Sequence, residues 1–200
     1  FVSACFVHGM SNNEIVALTN ALIDTGEKLR FEKRPVMDLH SIGGVPGDRT
    51  TMIVVPIVAA AGLKIPKTSS RAITSPSGTA DTMETLAEVG ASLSKMKRIV
   101  NRVGGCILWG GAINLAPADD KIIRVEHPLA IDAEGQLIAS VMAKKGSVGA
   151  TNVVIDIPIG PNAKIKNMKN AINMNMGQNK KYAHWRSEKG IKLRIIFYNR

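Results

Sequence analysis

Two stretches of this sequence collect the residue types that hold a phosphate. HSIGGVPGDRTT, from His40 to Thr51, brings Ser41, Gly43, Gly44, Gly47, Arg49, Thr50 and Thr51 ahead of an apolar run. SSRAITSPSGTAD, from Ser69 to Asp81, brings Ser69, Ser70, Arg71, Thr74, Ser75 and Thr79 ahead of a helical pattern. Anion recognition asks for converging backbone N–H groups, glycines that let the chain come close, hydroxyl donors and a positive charge. Either loop alone also reads as a packing turn, and it is the pair that strengthens the phosphate reading. Neither matches the Walker pattern, because no Lys-Ser/Thr follows the glycines, and the dinucleotide glycine spacing is absent. His40 is either a ligand contact or a packed, hydrogen-bonded histidine. On local sequence Asp132, in PLAIDAEGQL, reads as a turn aspartate. Lys144, Lys145 and Lys164 read as solvated lysines.

The elements that must position these loops alternate in type. Ser11 and Glu14 form a capping box ahead of IVALTNALIDTG, a helix ending near Gly26. RPVMDLHS reads as a strand entering the first loop, and Arg49 to Gly62 as a helix or buried segment bent at Pro56. LKIPKTSS reads as a second strand entering the second loop, followed by a helix over TMETLAEVG that stops at Gly90. A helix over LSKMKRIVNRVGG, a strand over CILWGG, a helix over IASVMAKKGSVGA and a strand over NVVIDIPIG complete the pattern. Strands alternating with helices predict an α/β layered domain.

Bulk composition fits that class. An apolar fraction of 45% and a charged fraction of 21% over 200 residues are those of a folded globular chain. Cys5 and Cys106 lie far apart, which suggests neither a disulfide framework nor a zinc site and points to a reducing, cytoplasmic setting. The longest apolar run, Met52 to Leu63, is too short for a membrane span, and no secretory leader is read. The formal net charge of +10 is concentrated: from Pro161 onward ten Lys/Arg face the single acid Glu188, whereas residues 1–160 carry 16 basic and 15 acidic residues. Tyr182, Trp185, Phe197 and Tyr198 fall in the same end.

The chain resembles the central portion of the archaeal AMP phosphorylases, within the thymidine phosphorylase family. The resemblance is carried by FVHGMSNNEIVALTNALIDTGE, by the run from Asp38 to Val89 that holds both loops, by WGGAINLAPADDKIIRVEHPLAIDAEGQLIASVMAKK and by VGATNVVIDIPIGPNAKIKNM. IGGVPG and SSRAITSPSGTADTMETL mark the archaeal branch. The implied fold is the central α/β domain of a type II nucleoside phosphorylase, a mixed sheet flanked by helices, plus part of the helical domain. Residues 1–30 would be a helical-domain segment, 31–171 the phosphate- and nucleotide-binding domain, and 172–200 a divergent basic tail. The chain would be truncated at both ends. The tail reads as a decayed reading frame, with a nucleic-acid-binding extension as the lower-ranked alternative.

The activity implied is phosphorolysis of AMP, and of CMP and UMP, to the free base and ribose 1,5-bisphosphate. The alternatives are a thymidine or pyrimidine nucleoside phosphorylase and an inactive remnant. The resemblance assigns AMP and phosphate binding to Gly44, Ser70, Arg71, Ala72, Ile73, Thr74, Ser75, Thr79, Ser140 and Lys164, and proton donation to Asp132. His40, Ser41, Thr51, Ser69 and Lys144 form a second rank. No metal and no cofactor are implied, inorganic phosphate being a co-substrate, and relatives of full length are homo-oligomers. A departing adenine needs a proton, and burial beside Leu129, Ala130 and Ile131 would raise the Asp132 pKa toward the working range. Two positions depart from the family pattern: Leu39 stands where lysine is common, and His127 where arginine is usual.

Overall fold

A computed structural model describes residues 1–32, 35–42, 49–72, 77–131, 133–163, 165–169 and 189–199. In chain order the elements are α1 (Val2–His8), α2 (Asn12–Asp24), β1 (Met37–Ser41), α3 (Thr50–Ala60), β2 (Ile65–Ser69), α4 (Thr79–Glu84), α5 (Leu93–Val103), β3 (Gly105–Trp109), a 3-10 turn (Gly110–Ala112), α6 (Pro117–Leu129), α7 (Glu134–Ser147), β4 (Asn152–Ile159) and β5 (Lys192–Asn199). The helices that begin where predicted do so for visible reasons. Ser11 accepts the Glu14 N–H while the Glu14 carboxylate accepts the Ser11 N–H, closing the capping box of α2. Ser92 accepts the Lys95 N–H at the start of α5, and Gly104, at φ 86°, ends that helix in the left-handed region glycine tolerates.

The strands form two sheets, β1–β4–β5 and β2–β3, which meet edge to edge at β1 and β2. β1 pairs with β4, β4 with β5 and β2 with β3, and every ladder among the described residues is parallel, where a mixed sheet is expected from the resemblance. The join between β1 and β2 is slight: a bridge at Val36–Lys64, with the Met37 N–H on the Lys64 carbonyl at 2.7 Å. Beyond that bridge the two strands form no ladder. The near-continuous apolar run of β4 suits a strand covered on both faces. On one side α7 packs against both the sheet and α2, and Val153, Ile155, Ile157, Val141, Met142, Leu22 and Ile23 belong to one buried core. On another, α3 covers β1, β2 and β3.

The structure differs from the sequence expectation at several elements: α1 has no predicted counterpart, and α7 begins at Glu134, four residues before Ile138. The helix predicted over TMETLAEVG begins three residues earlier and ends at Glu84; Leu86 to Gly90 is a turn region whose Val89 carbonyl takes the Trp109 N–H. α6 was not expected, because two prolines and paired charges obscure its period; Pro117 at its first turn and Asp119 and Asp120 beside it are helix-start residues. β5 lies in the stretch set apart above on composition. Its backbone carries an eight-residue ladder with β4, and Ile191 is buried just before it.

Candidate functional site

The second loop is built around Asp81. β2 delivers Ser69 and Ser70 at its carboxyl end, and the chain returns through Gly78 into α4, with Thr79 its first residue. Asp81 Oδ2 accepts the N–H of Gly78 and the N–H of Ala72, each at 2.9 Å, so one carboxylate oxygen ties the loop's two ends together. Its other oxygen takes Arg71 Nη1 at 2.9 Å. Glu84 grips the same guanidinium at both ends, at 2.7 and 2.9 Å, and the guanidinium lies over the Trp109 ring at 4.7 Å. Burial pushes the Asp81 carboxyl up, but the two amide N–H groups and Arg71 outweigh it and hold it below the usual range. Glu84 is held low by Arg71, and Arg71 is held correspondingly high, first by Glu84 and then by Asp81. Gly78 is required here by close approach: a Cβ would stand 2.5 Å from the Ser70 carbonyl oxygen and 2.7 Å from the Arg71 carbonyl carbon.

A second cluster sits between α6 and α7. Ser140 Oγ donates to Asp119 Oδ2 at 2.9 Å, Lys144 Nζ lies 2.5 Å from the same oxygen, and Lys144 also donates to Ser140 Oγ at 2.9 Å. Asp119 is 1% exposed and Lys144 is buried, so this is an interior ion pair rather than the solvated lysine read above. Beside it, burial pushes the Asp120 carboxyl up, with the Asp119 charge adding to the shift. One turn before Ser140, Gln136 is buried and neither polar atom of its amide has a hydrogen-bond partner among the described residues.

Between the clusters, under the carboxyl ends of β1 and β2, lie four more buried charged groups. Lys145 Nζ forms an ion pair with Asp38 Oδ2 at 2.9 Å and donates to the Leu39 carbonyl at 3.2 Å. Lys145 is therefore interior too, and burial pushes its ammonium down, against the pull of Asp38. Asp156 on β4 takes the Ser41 hydroxyl at 2.9 Å. Lys67, on β2, is buried and donates to the Thr68 carbonyl. A cavity of about 320 Å³ lies between α3 and the sheet, lined chiefly by Met37, Leu39, Val54, Val58 and Ile65.

The structure therefore brings Ser70, Arg71, Ala72 and Thr79 together through Asp81 and Gly78, and places Ser140 with Lys144 on the α7 cluster. Gly44, Ile73, Thr74, Ser75, Asp132 and Lys164 lie outside the described residues. Of the second rank, Ser41 and Ser69 end adjacent strands, His40 is half-buried at the end of β1, and Thr51 is buried in the first turn of α3. Leu39 is buried on β1, and His127 is exposed in the last turn of α6. Sequence reasoning missed Asp81, Glu84, Asp119 and Lys67. Only Asp81 carried a signal, the Gly78-x-x-Asp81 spacing of a helix start. Among the described residues, no three His, Cys, Asp or Glu side chains stand together as metal ligands, and no helix is long and apolar enough to cross a membrane.

Residues 33–155 match the family described as glycosyl transferase family, a/b domain. The chain is 62% identical over 169 residues to AMP phosphorylase 1 of Archaeoglobus fulgidus, covering 84% of this chain and 34% of that protein. It is 59% identical over 165 residues to the AMP phosphorylase of Methanosarcina acetivorans, covering 82% and 33%. With a putative thymidine phosphorylase of Polaromonas sp. it shares 54% identity over 171 residues, covering 86% and 34%. The chain thus spans about a third of the length of these relatives. Among solved structures, anthranilate phosphoribosyltransferase of Thermus thermophilus superposes with a TM-score of 0.59 at 21% identity, covering 78% of this chain and 52% of that one. The Saccharomyces cerevisiae enzyme, solved with PRPP and Mg, gives 0.61 at 18% identity, covering 90% and 46%, so the fold is shared.

Proposed function

The chain belongs to the glycosyl transferase family through its α/β domain, and we propose on that footing that it is the substrate-binding core of an AMP phosphorylase. The observation that carries this reading is the 62% identity to AMP phosphorylase 1 over a stretch that holds both loops. In the reaction a phosphate oxygen attacks C1′ of AMP and the bond from C1′ to the base nitrogen breaks. Adenine leaves with a proton, and the sugar carries away the phosphate as ribose 1,5-bisphosphate.

Each part of the chain has a task in that scheme. Ser70 and Thr79, on the loop flanks that Asp81 and Gly78 tie together, offer hydroxyls to a phosphate. Ser140 and Lys144, fixed by Asp119, lie on α7 as polar groups for the nucleotide. Asp132, two residues ahead of α7 in the sequence, donates the proton to the leaving base, and Lys164 completes nucleotide binding. Developing positive charge at C1′ is met by the bound phosphate itself, which is also the nucleophile. A cytoplasmic setting accompanies this reading.

The test is a phosphorolysis assay of the chain with AMP, CMP, UMP and thymidine, alongside Asp132→Asn. The expected result is release of adenine from AMP by the native chain, with Asp132→Asn still binding AMP while turnover falls at least roughly 100-fold. Unchanged turnover in the variant would sink the role of Asp132. A second reading, a pyrimidine nucleoside phosphorylase, is favoured by the 54% identity to the putative thymidine phosphorylase, and release of thymine from thymidine selects it.

A further inference from the structure

Asp119 is an acid in the first turn of α6 that turns inward instead of toward solvent. It is 1% exposed, and its Oδ2 meets two side chains of α7: the Ser140 hydroxyl at 2.9 Å and the Lys144 ammonium at 2.5 Å. Lys144 closes the triangle by donating to Ser140 Oγ at 2.9 Å. Ser140 and Lys144 are four residues apart, so α7 presents them on one face.

Counting hydrogens shows what the triangle has left to offer. A carboxylate only accepts, a serine hydroxyl donates once and accepts twice, and an ammonium donates three times. Ser140 commits its hydrogen to Asp119 and one lone pair to Lys144, and it keeps one lone pair. Lys144 commits one N–H to Asp119 and one to Ser140, and it keeps one N–H. What remains is one acceptor beside one donor, in an order that cannot reverse while Asp119 holds the serine hydrogen. Ser140 is half-buried and the Lys144 side chain keeps 11% of its surface exposed, so both can be reached from outside. One turn earlier on the same side of α7, the buried amide of Gln136 lacks a partner among the described residues. Buried polar groups are ordinarily paired, so this face of α7 has more hydrogen-bonding capacity than the chain itself uses.

We propose that Asp119 is a positioning residue that sets the hydrogen-bond polarity of the base site, making Ser140 an acceptor and Lys144 a donor toward the nucleobase. The ligand chemistry that fits is a base edge with an N–H donor next to an acceptor, and adenine supplies it as its 6-amino group beside a ring nitrogen. The amino group donates to Ser140, and Lys144 donates to the ring nitrogen. A nucleotide without the amino group leaves the Ser140 lone pair unmet, because the serine cannot turn its hydrogen outward. The inference rests on the phosphorylase reading above and adds to it a residue that acts through Ser140.

The experiment is calorimetric titration of the 200-residue chain with AMP and with purine riboside 5′-monophosphate, which differs by the missing 6-amino group. The forms compared are native, Asp119→Asn, Ser140→Ala and the double variant, each checked by a thermal melt. If Asp119→Asn loses its melt, Asp119→Glu replaces it, since it keeps a charge beside Lys144 while displacing the oxygen that holds the serine. The native chain should prefer AMP by roughly 10-fold or more, the effect of one unmet hydrogen bond at a desolvated site. Asp119→Asn frees the Ser140 hydrogen to serve the other nucleotide, so the preference should collapse; a purely structural aspartate would weaken both ligands alike and leave the ratio unchanged. Ser140→Ala should abolish the preference too, and adding Asp119→Asn to it should change the ratio no further. A native ratio near one, or a preference that survives either single variant, would overturn the role of Asp119 and leave the phosphorylase reading intact. A native chain that binds neither nucleotide overturns that reading, and the role of Asp119 with it.

Discussion

Asp81 receives three donors at once: the N–H groups of Ala72 and Gly78 on one oxygen and Arg71 on the other. Glu84 holds the outer side of the same guanidinium in a bidentate grip. The two acids are not equivalent, because only Asp81 also satisfies backbone. Asp81→Ala leaves two amide donors without their acceptor and is expected to cost about 1–3 kcal/mol in chemical denaturation, with weaker AMP binding. Asp81→Asn keeps an oxygen for the amides but turns an NH2 toward Arg71, so its cost should fall between that of Asp81→Ala and that of Glu84→Ala. Equal melting curves for the Asp81 and Glu84 alanine variants would show that the backbone ties contribute nothing. On this geometry Arg71 serves the loop's shape through its carboxylates and Trp109.

At the level of elements, the site depends on how tightly α4 returns to the end of β2. A methyl group at Gly78 would meet the Ser70 carbonyl oxygen at 2.5 Å, and both neighbours are backbone, which cannot swing aside. Gly78→Ala should therefore shift the loop by a fraction of an ångström or more. It should weaken AMP affinity roughly 10- to 100-fold while far-ultraviolet circular dichroism stays native. Isothermal titration reads the first effect; native affinity would mean the approach is not needed for binding. Sequence pattern showed the alternation of strands and helices well, since α2, α5 and β4 each carry a clean period or cap. It did not show α6, whose two prolines break the count, or the shortness of α4, since apolar residues continue past Glu84 into a turn. Of the second loop, its entry from a strand at Ser69 and its exit into a helix at Thr79 were legible in the sequence. The charged groups beneath them were not, because Lys67, Lys145 and Asp119 look like surface residues until strand and helix packing bury them.

For the molecule as a whole, burying lysines ties stability to pH. An unfolded chain keeps the Lys67 proton up to its ordinary 10.5, but the folded chain releases it near 7. Between those values unfolding takes up a proton, so the ligand-free fold gains stability as pH rises, by at most about 1.4 kcal/mol per unit. Lys145, also pushed down by burial, acts in the same direction. The groups around Lys67 pull both ways: Lys145 and Lys144 favour loss of its proton, Asp38 and Asp156 favour retention. Burial pushes the Cys106 thiol from 9.0 up to about 12, so above pH 9 its ionisation on unfolding opposes the trend and the clean window is pH 7–9. Urea denaturation in phosphate-free buffer should show stability rising across that window and a shallower rise in Lys67→Met; a flat native profile would exclude the loosely held proton.

The sheet sets a second condition on the whole molecule. β5 pairs with β4 along eight residues, and Leu193 and Ile195 pack against the buried core. Its removal would turn β4, a strand whose apolar residues are nearly all buried, into an open edge carrying unpaired N–H and C=O groups. β1 is already joined to β2 by little more than the Val36–Lys64 bridge, so β4 is the ladder on which β1 chiefly relies. Since β1 carries Ser41 and Asp38, loosening β4 reaches the site as well as the core. Deleting residues 189–200 is therefore expected to lower the melting temperature by several degrees and to promote self-association, read by light scattering. A deletion that keeps the native chain's scattering mass and melts as the native chain does would mean that β4 holds the sheet without its edge partner.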